Sequence, residues 1–316
     1  MKVFCGVSSI FVIFFHAKIE LTPFLCFFLL AIPSEGAFQY LDAGARALGM
    51  AGAYTAVCDD VNSACWNPAG LALMKKREAT GMYSKLFPDL DDSLTLSYLG
   101  YGGLITGYGA AGLSAVAFGS DLYSESEYII TGAGGVPYVK NLYAGLNLKY
   151  LQKRYGSNSY TIKDPTFLSG GYSASGWGMD AGLVYKMKKL SAGFAAKNFN
   201  EPDIGIYKKD VVPAEYRLGL GYDFKGTLIS LDRTLMKNIN RDKKILVGFE
   251  RWVGAAAVRA GYGAGNNKFS KFAAGFSYIL RLKNADIQID YSYDQRLDEG
   301  MKDMGGNHNF STTVRF

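Results

Sequence analysis

Histidine, cysteine and long apolar stretches are scarce in this chain, and each shortage closes off a class of function. Of 316 residues, 2 are histidine (His16 and His308) and 8 are proline. A hydrolytic triad needs a base beside its nucleophile. Past residue 37 only His308 is available, and its place at the start of the final alternating run suits a hydrogen-bonding rim residue. Cysteine is scarce as well: 4 in all, with Cys58 and Cys65 the pair beyond residue 37. No His, Cys or carboxylate group has metal-centre spacing, and Asp89, Asp91 and Asp92 offer only a weak loop site for Ca²⁺. The expectation is a chain with no catalytic residue, no bound metal and no cofactor.

Apolar runs at residues 3–15 and 21–32 both fall short of the roughly 18–20 residues that a membrane-spanning helix needs. Lys18 ahead of the second run and Pro33-Ser34-Glu35-Gly36-Ala37 behind it give residues 1–37 the form of a secretory signal, cleaved near Ala37. The upstream run is unusual and suggests a true start downstream of Met1. The net charge of +6 is spread along the chain; without a basic cluster, nucleic acid is not an expected partner. Gly107, Gly109 and Gly112 spell G-x-G-x-x-G, but residues 113–118 continue as strand where a dinucleotide site needs a helix.

What the chain has in quantity is alternation, glycine (38) and aromatics (22 Tyr, 20 Phe). Ile287, Ile289, Tyr291 and Tyr293 interleave with Asp286, Gln288, Asp290, Ser292 and Asp294; Phe310, Thr312, Val314 and Phe316 do so with Ser311, Thr313 and Arg315. A period of two describes a strand with one face in oil and one in water. From 77–87 and 92–101 through 285–295 and 307–316, about fourteen such runs of about ten residues follow one another. Connections alternate between short (137–141, 188–189, 225–226, 253–254, 283–284) and long (156–175, 201–213, 237–242, 264–269, 296–306), as periplasmic turns and extracellular loops do. The pattern resembles an all-β, 14-stranded antiparallel transmembrane β-barrel in the outer membrane of a Gram-negative bacterium, embedded in outer-membrane lipid.

Assigning faces puts Leu146, Leu148, Leu218, Leu220, Phe276 and Tyr278 toward lipid. The opposite face carries a lumen charge network of Arg217, Asp223, Glu250, Arg259, Arg281, Asp286, Asp290 and Arg315, with Lys149 and Asp294 nearby in the pattern. Buried charges must pair, because one left alone costs several kcal/mol. A salt-bridged scaffold is the first reading and a polar conduit the second. Gly145, Gly219, Gly221 and Gly275 on the inner face would make room for something inside. Phe316, an aromatic closing the last strand, reads both as a girdle residue and as the signal recognised by the barrel assembly machinery.

Residues 38–76 do not alternate and form an expected hatch with short helices, ahead of a barrel spanning 77–316. Asn67-Pro68 is a helix start, Asn as N-cap and Pro in first position, predicting a short helix to about Met74. Cys58 and Cys65 would lie about 10 Å apart on a regular helix, too far for a disulfide; a turn between them would permit one, and two small buried thiols is the other reading. Gly49–Gly52, Asp59-Asp60 and Trp66-Asn67-Pro68-Ala69-Gly70-Leu71, with "PAEYRLGLGY" at 213–222 and "GFERW" at 248–252, resemble the PorV/PorQ family of FadL-like outer-membrane barrels. Cys58 and Cys65 depart from the family pattern, as does the long leader. The resemblance implies a hatch lodged inside a 14-stranded wall, with Asp59, Asp60, Trp66, Asn67, Pro68 and Gly70 as its motif. Asp59 and Asp60 read first as acceptors tying the hatch to barrel arginines, Trp66 as a packing anchor, and Arg46 as a partner for an unidentified lumen carboxylate.

Two functions are implied. One is an accessory of type IX-like secretion and surface attachment, with secretion-system or cargo proteins bound by loops 156–175, 201–213 and 296–306. The other is FadL-like passive transport of a hydrophobic ligand such as a long-chain fatty acid.

Overall fold

A computed structural model of the protein describes residues 38, 41–90, 94–105, 109–159, 161–236, 243–266 and 268–316. Fourteen strands follow in chain order: β1 (Glu78–Leu86), β2 (Leu94–Ile105), β3 (Gly109–Gly119), β4 (Tyr123–Gly135), β5 (Leu142–Tyr155), β6 (Ser173–Met187) and β7 (Leu190–Lys197). The second half comprises β8 (Glu215–Phe224), β9 (Thr227–Met236), β10 (Lys244–Val253), β11 (Ala256–Gly265), β12 (Ser270–Arg281), β13 (Asp286–Arg296) and β14 (Asn307–Arg315). Each pairs antiparallel with its sequence neighbour, and β14 returns to β1 in the register Glu78↔Arg315 to Lys85↔His308, closing the barrel. Closure removes the unpaired strand edges that hydrocarbon could not satisfy.

Alternation sets the faces as expected. Leu146 is 63% exposed and Phe276 48%, whereas Arg217 and Glu250 are 5% and 4% exposed on the inner face. The tight hairpin at Lys225-Gly226 takes positive φ at both residues (52° and 80°), the twist a two-residue turn between right-twisted strands requires.

Loop sorting holds with two exceptions at the long-loop end, where residues 120–122 between β3 and β4 and 266–269 between β11 and β12 form tight connections. β7 stops at Lys197, short of the expected Asn200, because Asn198 turns the chain at φ 49°. The Asn200 amide then substitutes for a strand, with its oxygen accepting from Met179 N at 2.8 Å and its nitrogen donating to Trp177 O at 2.7 Å. The chain beyond folds inward, burying Ile204 and Val212 in the barrel mouth.

Residues 41–76 fill the lumen with α1 (Ala45–Leu48), α2 (Ser63–Trp66) and a 3-10 turn (Pro68–Leu73). The predicted helix after Asn67 is this 3-10 turn: the Asn67 side chain accepts from Ala69 N at 3.2 Å, with Pro68 at the first position. Trp66, Tyr54, Met50 and Leu71 are wholly buried at the centre. Phe38 N donates to Glu125 near the long-loop end of β4 at 2.9 Å, while the hatch leaves at residue 77 at the short-turn end.

Candidate functional site

The wall receives the hatch through missing side chains. A Cβ on Gly145 would collide with the Pro68–Ala69 backbone, on Gly219 with Thr55–Ala56 and on Gly221 with Val57, and one on Gly275 would press on Gly49. Gly193, Gly248 and Gly261 admit Thr55–Ala56 and Met50 in the same way. The hatch is seated against strands around the ring at backbone contact distance.

Charges then fix its position. Arg46, the second residue of α1, donates through Nε and Nη2 to the two oxygens of Glu250 on β10, each at 2.8 Å. Its Nη1 reaches Asp59 at 2.7 Å, Tyr54 OH at 2.8 Å and Asp60 at 3.2 Å. Burial alone would lower the Arg46 pKa, but Glu250, Tyr54 and Asp59 outweigh it and hold the guanidinium charged. Glu250 also accepts from Arg259 Nε at 2.7 Å, and Arg259 continues to Ser277 and to Asp290 at 3.5 Å. Gln288 donates to Asp290 at 2.6 Å. One network thus runs from the hatch across β10 to β13.

A second cluster surrounds Trp66. Its Nε1 donates to Ala43 O at 2.7 Å, Tyr54 meets it edge-on at 6.0 Å, and the Arg217 guanidinium lies 4.9 Å over its ring. Arg217 also binds Glu215 and donates to both oxygens of Asp42, at 2.9 and 3.0 Å, with Lys197 at 3.3 Å. Burial raises the Asp42 carboxyl, but Arg217 and Lys197 pull harder and leave it below the usual carboxylate range. Asn67 Nδ2 donates to Thr55 O at 2.9 Å and to Leu183 O of β6 at 3.0 Å, pinning hatch to wall. Gly70 has no room for a side chain against Cys58 and Ser63.

Of the expected lumen charges, Arg217 lies inside the barrel in the Trp66 cluster, and Glu250, Arg259 and Asp290 come together in the network with Arg46. Arg315 joins them from the side, donating to Glu78 and Gln288 at 2.7 Å each. Three do not belong. Asp223 is exposed and accepts from Gly226 N at 2.9 Å, capping a turn. Arg281 is exposed at the end of β12, and Asp286 beside it at the rim pairs with Lys76 at 2.8 Å. The inner-face parity was right, but each strand outruns the lumen, so its last inward residue meets water. Asp59 and Asp60 bind a hatch arginine rather than the expected barrel one; Arg46 makes the crossing, with Glu250 as its partner.

Inner carboxylates not anticipated are Asp180, which with Glu127 holds the buried Lys149 at 3.0 and 3.7 Å, and Asp232, which accepts Tyr54 N and Thr55 N at 3.0 and 2.8 Å. Continuing the alternation through Gly178-Asp180-Gly182 and Ser230-Asp232-Thr234 would have found both. Asp42 lies in an irregular segment where no period applies. Cys58 and Cys65 are two separate buried thiols, and burial pushes Cys65 up to about 12. His308 accepts or donates at Nδ1 to Tyr291 OH at 2.9 Å on the outer face. No cluster that could hold a metal occurs among the described residues, and Asp91, Asp92 and Gly107 lie outside them. Phe316 is half exposed and stacks on Tyr101 at 6.3 Å.

The fold matches solved outer-membrane channels over nearly all of the barrel. The CymD monoaromatic hydrocarbon channel is 16% identical, covering 88% of this chain and 97% of that one, with TM-score 0.59. The Ralstonia pickettii toluene transporter TbuX is 13% identical, covering 88% and 100%, with TM-score 0.60. A Pseudomonas aeruginosa FadL homologue is 13% identical, covering 87% and 98%, with TM-score 0.58. At such identities the likeness is one of fold. No curated protein matches the chain. The family model described as "Type IX secretion system membrane protein PorP/SprF" matches residues 60–314, from the middle of the hatch to the end of the last strand. A closed 14-stranded barrel with a lipid-facing belt, spanned almost entirely by that match, is an outer-membrane protein of the Gram-negative envelope, and the chain belongs to the PorP/SprF family of type IX secretion system membrane proteins.

Proposed function

We propose that this barrel is a non-enzymatic accessory of type IX secretion and surface attachment that works by holding partner proteins, the role the PorV/PorQ resemblance implies, rather than by conducting solutes. The filled lumen carries this reading. Arg46, Tyr54, Trp66 and Asn67 are each fixed by several hydrogen bonds or ring contacts, and backbone occupies the space that wall glycines leave. Opening a path would mean separating buried ion pairs, at about 3–5 kcal/mol for each broken one. The long loops offer the partner surface: Ile162 and Leu168 are exposed between β5 and β6, and Tyr207 is exposed beside Lys208 and Lys209 between β7 and β8. Residues 1–37 would be removed on export, and Phe316 would serve as the assembly signal.

The FadL-like alternative draws on the hydrocarbon and toluene channels of the same fold and on an apolar cluster, Val61, Leu71, Met74 and Ala110, where the hatch meets the wall. On that reading the protein passively carries long-chain fatty acids or other hydrophobic molecules. Co-purification from native outer membranes, followed by solvent extraction, separates the two. Stoichiometric large proteins with no extracted ligand support the accessory role; bound fatty acid or hydrocarbon without protein partners overturns it.

A further inference from the structure

The two rims of the barrel differ in charge. At the long-loop end acids and bases alternate: Asp164 follows Lys163, Asp210 follows Lys209, and Glu299 pairs with Lys268. At the short-turn end nearly every exposed charge is positive. Lys140 precedes β5, Lys188 and Lys189 join β6 to β7, Lys225 joins β8 to β9, and Lys283 joins β12 to β13. The hatch leaves the lumen through Lys75, Lys76 and Arg77, all exposed. Among the described residues of the strand ends and turns at this rim, the acidic side chains that are not buried are Asp223 and Asp286. Asp286 is paired with Lys76, and the single charge of Asp223, which also accepts from Gly226 N, is outnumbered by the lysines around it.

One part of the rim is hollowed. A cleft of about 340 Å³ beside the β1–β14 seam is lined by Lys75, Lys76 and Arg77 on one side and by Leu104 and Phe316 on the other. Phe316 and Leu104 are 50% and 44% exposed, and Phe316 stacks on Tyr101 of the lipid-facing belt. Cations at the water boundary above an apolar floor that continues into the membrane match one kind of molecule, a headgroup phosphate with acyl chains beneath it.

We propose that the periplasmic rim is a binding collar for anionic phospholipids of the inner leaflet, with a seat for one headgroup in the cleft at Lys75, Arg77 and Phe316. The distribution favours lipid over an acidic periplasmic protein. The basic turns between β4 and β5 and between β12 and β13 lie about half the circumference apart, and a protein would cover one arc whereas lipid surrounds the whole. Each basic side chain near an anionic membrane surface is worth roughly fivefold in lipid association, so several acting on one annulus give a marked preference.

The test is to place the full mature chain in vesicles of phosphatidylcholine containing one-fifth phosphatidylglycerol and measure association of spin-labelled phosphatidylglycerol against spin-labelled phosphatidylcholine. The native chain should prefer the anionic lipid at least fivefold. Lys75→Gln with Arg77→Gln, and separately Lys188→Gln with Lys189→Gln, should each reduce the preference, while Lys163→Gln with Lys268→Gln at the other rim should leave it intact. Heat-shifted electrophoretic mobility, unchanged in each variant, shows that the barrel still folds. Equal association of the two lipids with the native chain, or a preference untouched by both rim variants, overturns the proposal. So does loss of a co-purifying acidic protein in those variants with lipid preference retained.

Discussion

Arg46 and Glu250 stand 204 positions apart in sequence and meet through a two-pronged, buried contact that joins the hatch to the tenth strand. Replacing Arg46 with Ala removes the cation that Asp59, Asp60 and Glu250 share, and leaves Glu250 with Arg259 as its remaining cation. The expected loss is about 3–5 kcal/mol, read as a lower urea midpoint in lipid vesicles. Lys76→Ala breaks only the half-exposed rim pair with Asp286 and should cost less than about 1 kcal/mol.

Wall glycines give a steric counterpart. Gly193→Ala and Gly261→Ala press a methyl group into hatch backbone at Thr55–Ala56 and Met50–Ala51, which cannot swing aside as a side chain would. Overpacking of this kind costs about 1–3 kcal/mol. Gly132 has nothing within 4 Å of its added Cβ, so Gly132→Ala should unfold at the native midpoint.

The loop that folds into the mouth should respond to acid. Asp203 accepts the backbone N–H groups of Gly205 and Asp210, each at 2.9 Å, and these bonds hold its carboxyl below the usual range. A lowered folded value means that the contribution is complete above the ordinary aspartate value of about 3.9 and fades as pH drops through the lowered one. Loop cleavage next to Tyr207, by pepsin at pH 2 against chymotrypsin at pH 7, should be much the faster at the acid end. Asp203→Ala should make the neutral-pH site as labile to chymotrypsin.

Both thiols should be inert while the barrel stands. Burial raises Cys58 and Cys65, and at about 12 the Cys65 thiol is only roughly one part in ten thousand thiolate at pH 8. Maleimide should label neither in the folded protein and both after boiling in detergent. Rapid labelling of the native form would show that the hatch opens.

Removing Phe316 tests its separate role in biogenesis. Its backbone pairs with Arg77 in both directions, at 3.0 and 3.2 Å, and its ring touches Tyr101. Loss of one half-exposed ring should barely move the unfolding midpoint of barrels that do form, whereas the yield of barrel in outer membranes should fall several-fold. Equal yields would leave Phe316 as a girdle aromatic alone.

How far sequence carried varies with the kind of regularity. Strand count, closure and the outward set around Leu146, Leu218 and Phe276 were legible because lipid enforces a period of two over the whole wall. Asn67-Pro68 was legible because capping is local chemistry. The partner of Arg46 was not, since nothing in a one-dimensional pattern brings residue 250 to residue 46. Asp223 and Arg281 went astray for a related reason: parity states which way a side chain points but not whether lumen or solvent lies beyond it. The glycines were half readable, as an absence on the inner face whose occupant only the folded hatch identifies.

The hatch runs straight into β1 at residue 78, and β1 is the strand that β14 must find to complete the ring. Its main chain already lies in the hollows of Gly145, Gly193, Gly219 and Gly261. Wall and contents are therefore one packing unit: the seam between β1 and β14 holds the enclosed segment in place as well as the ring, and what loosens the one uncovers the other.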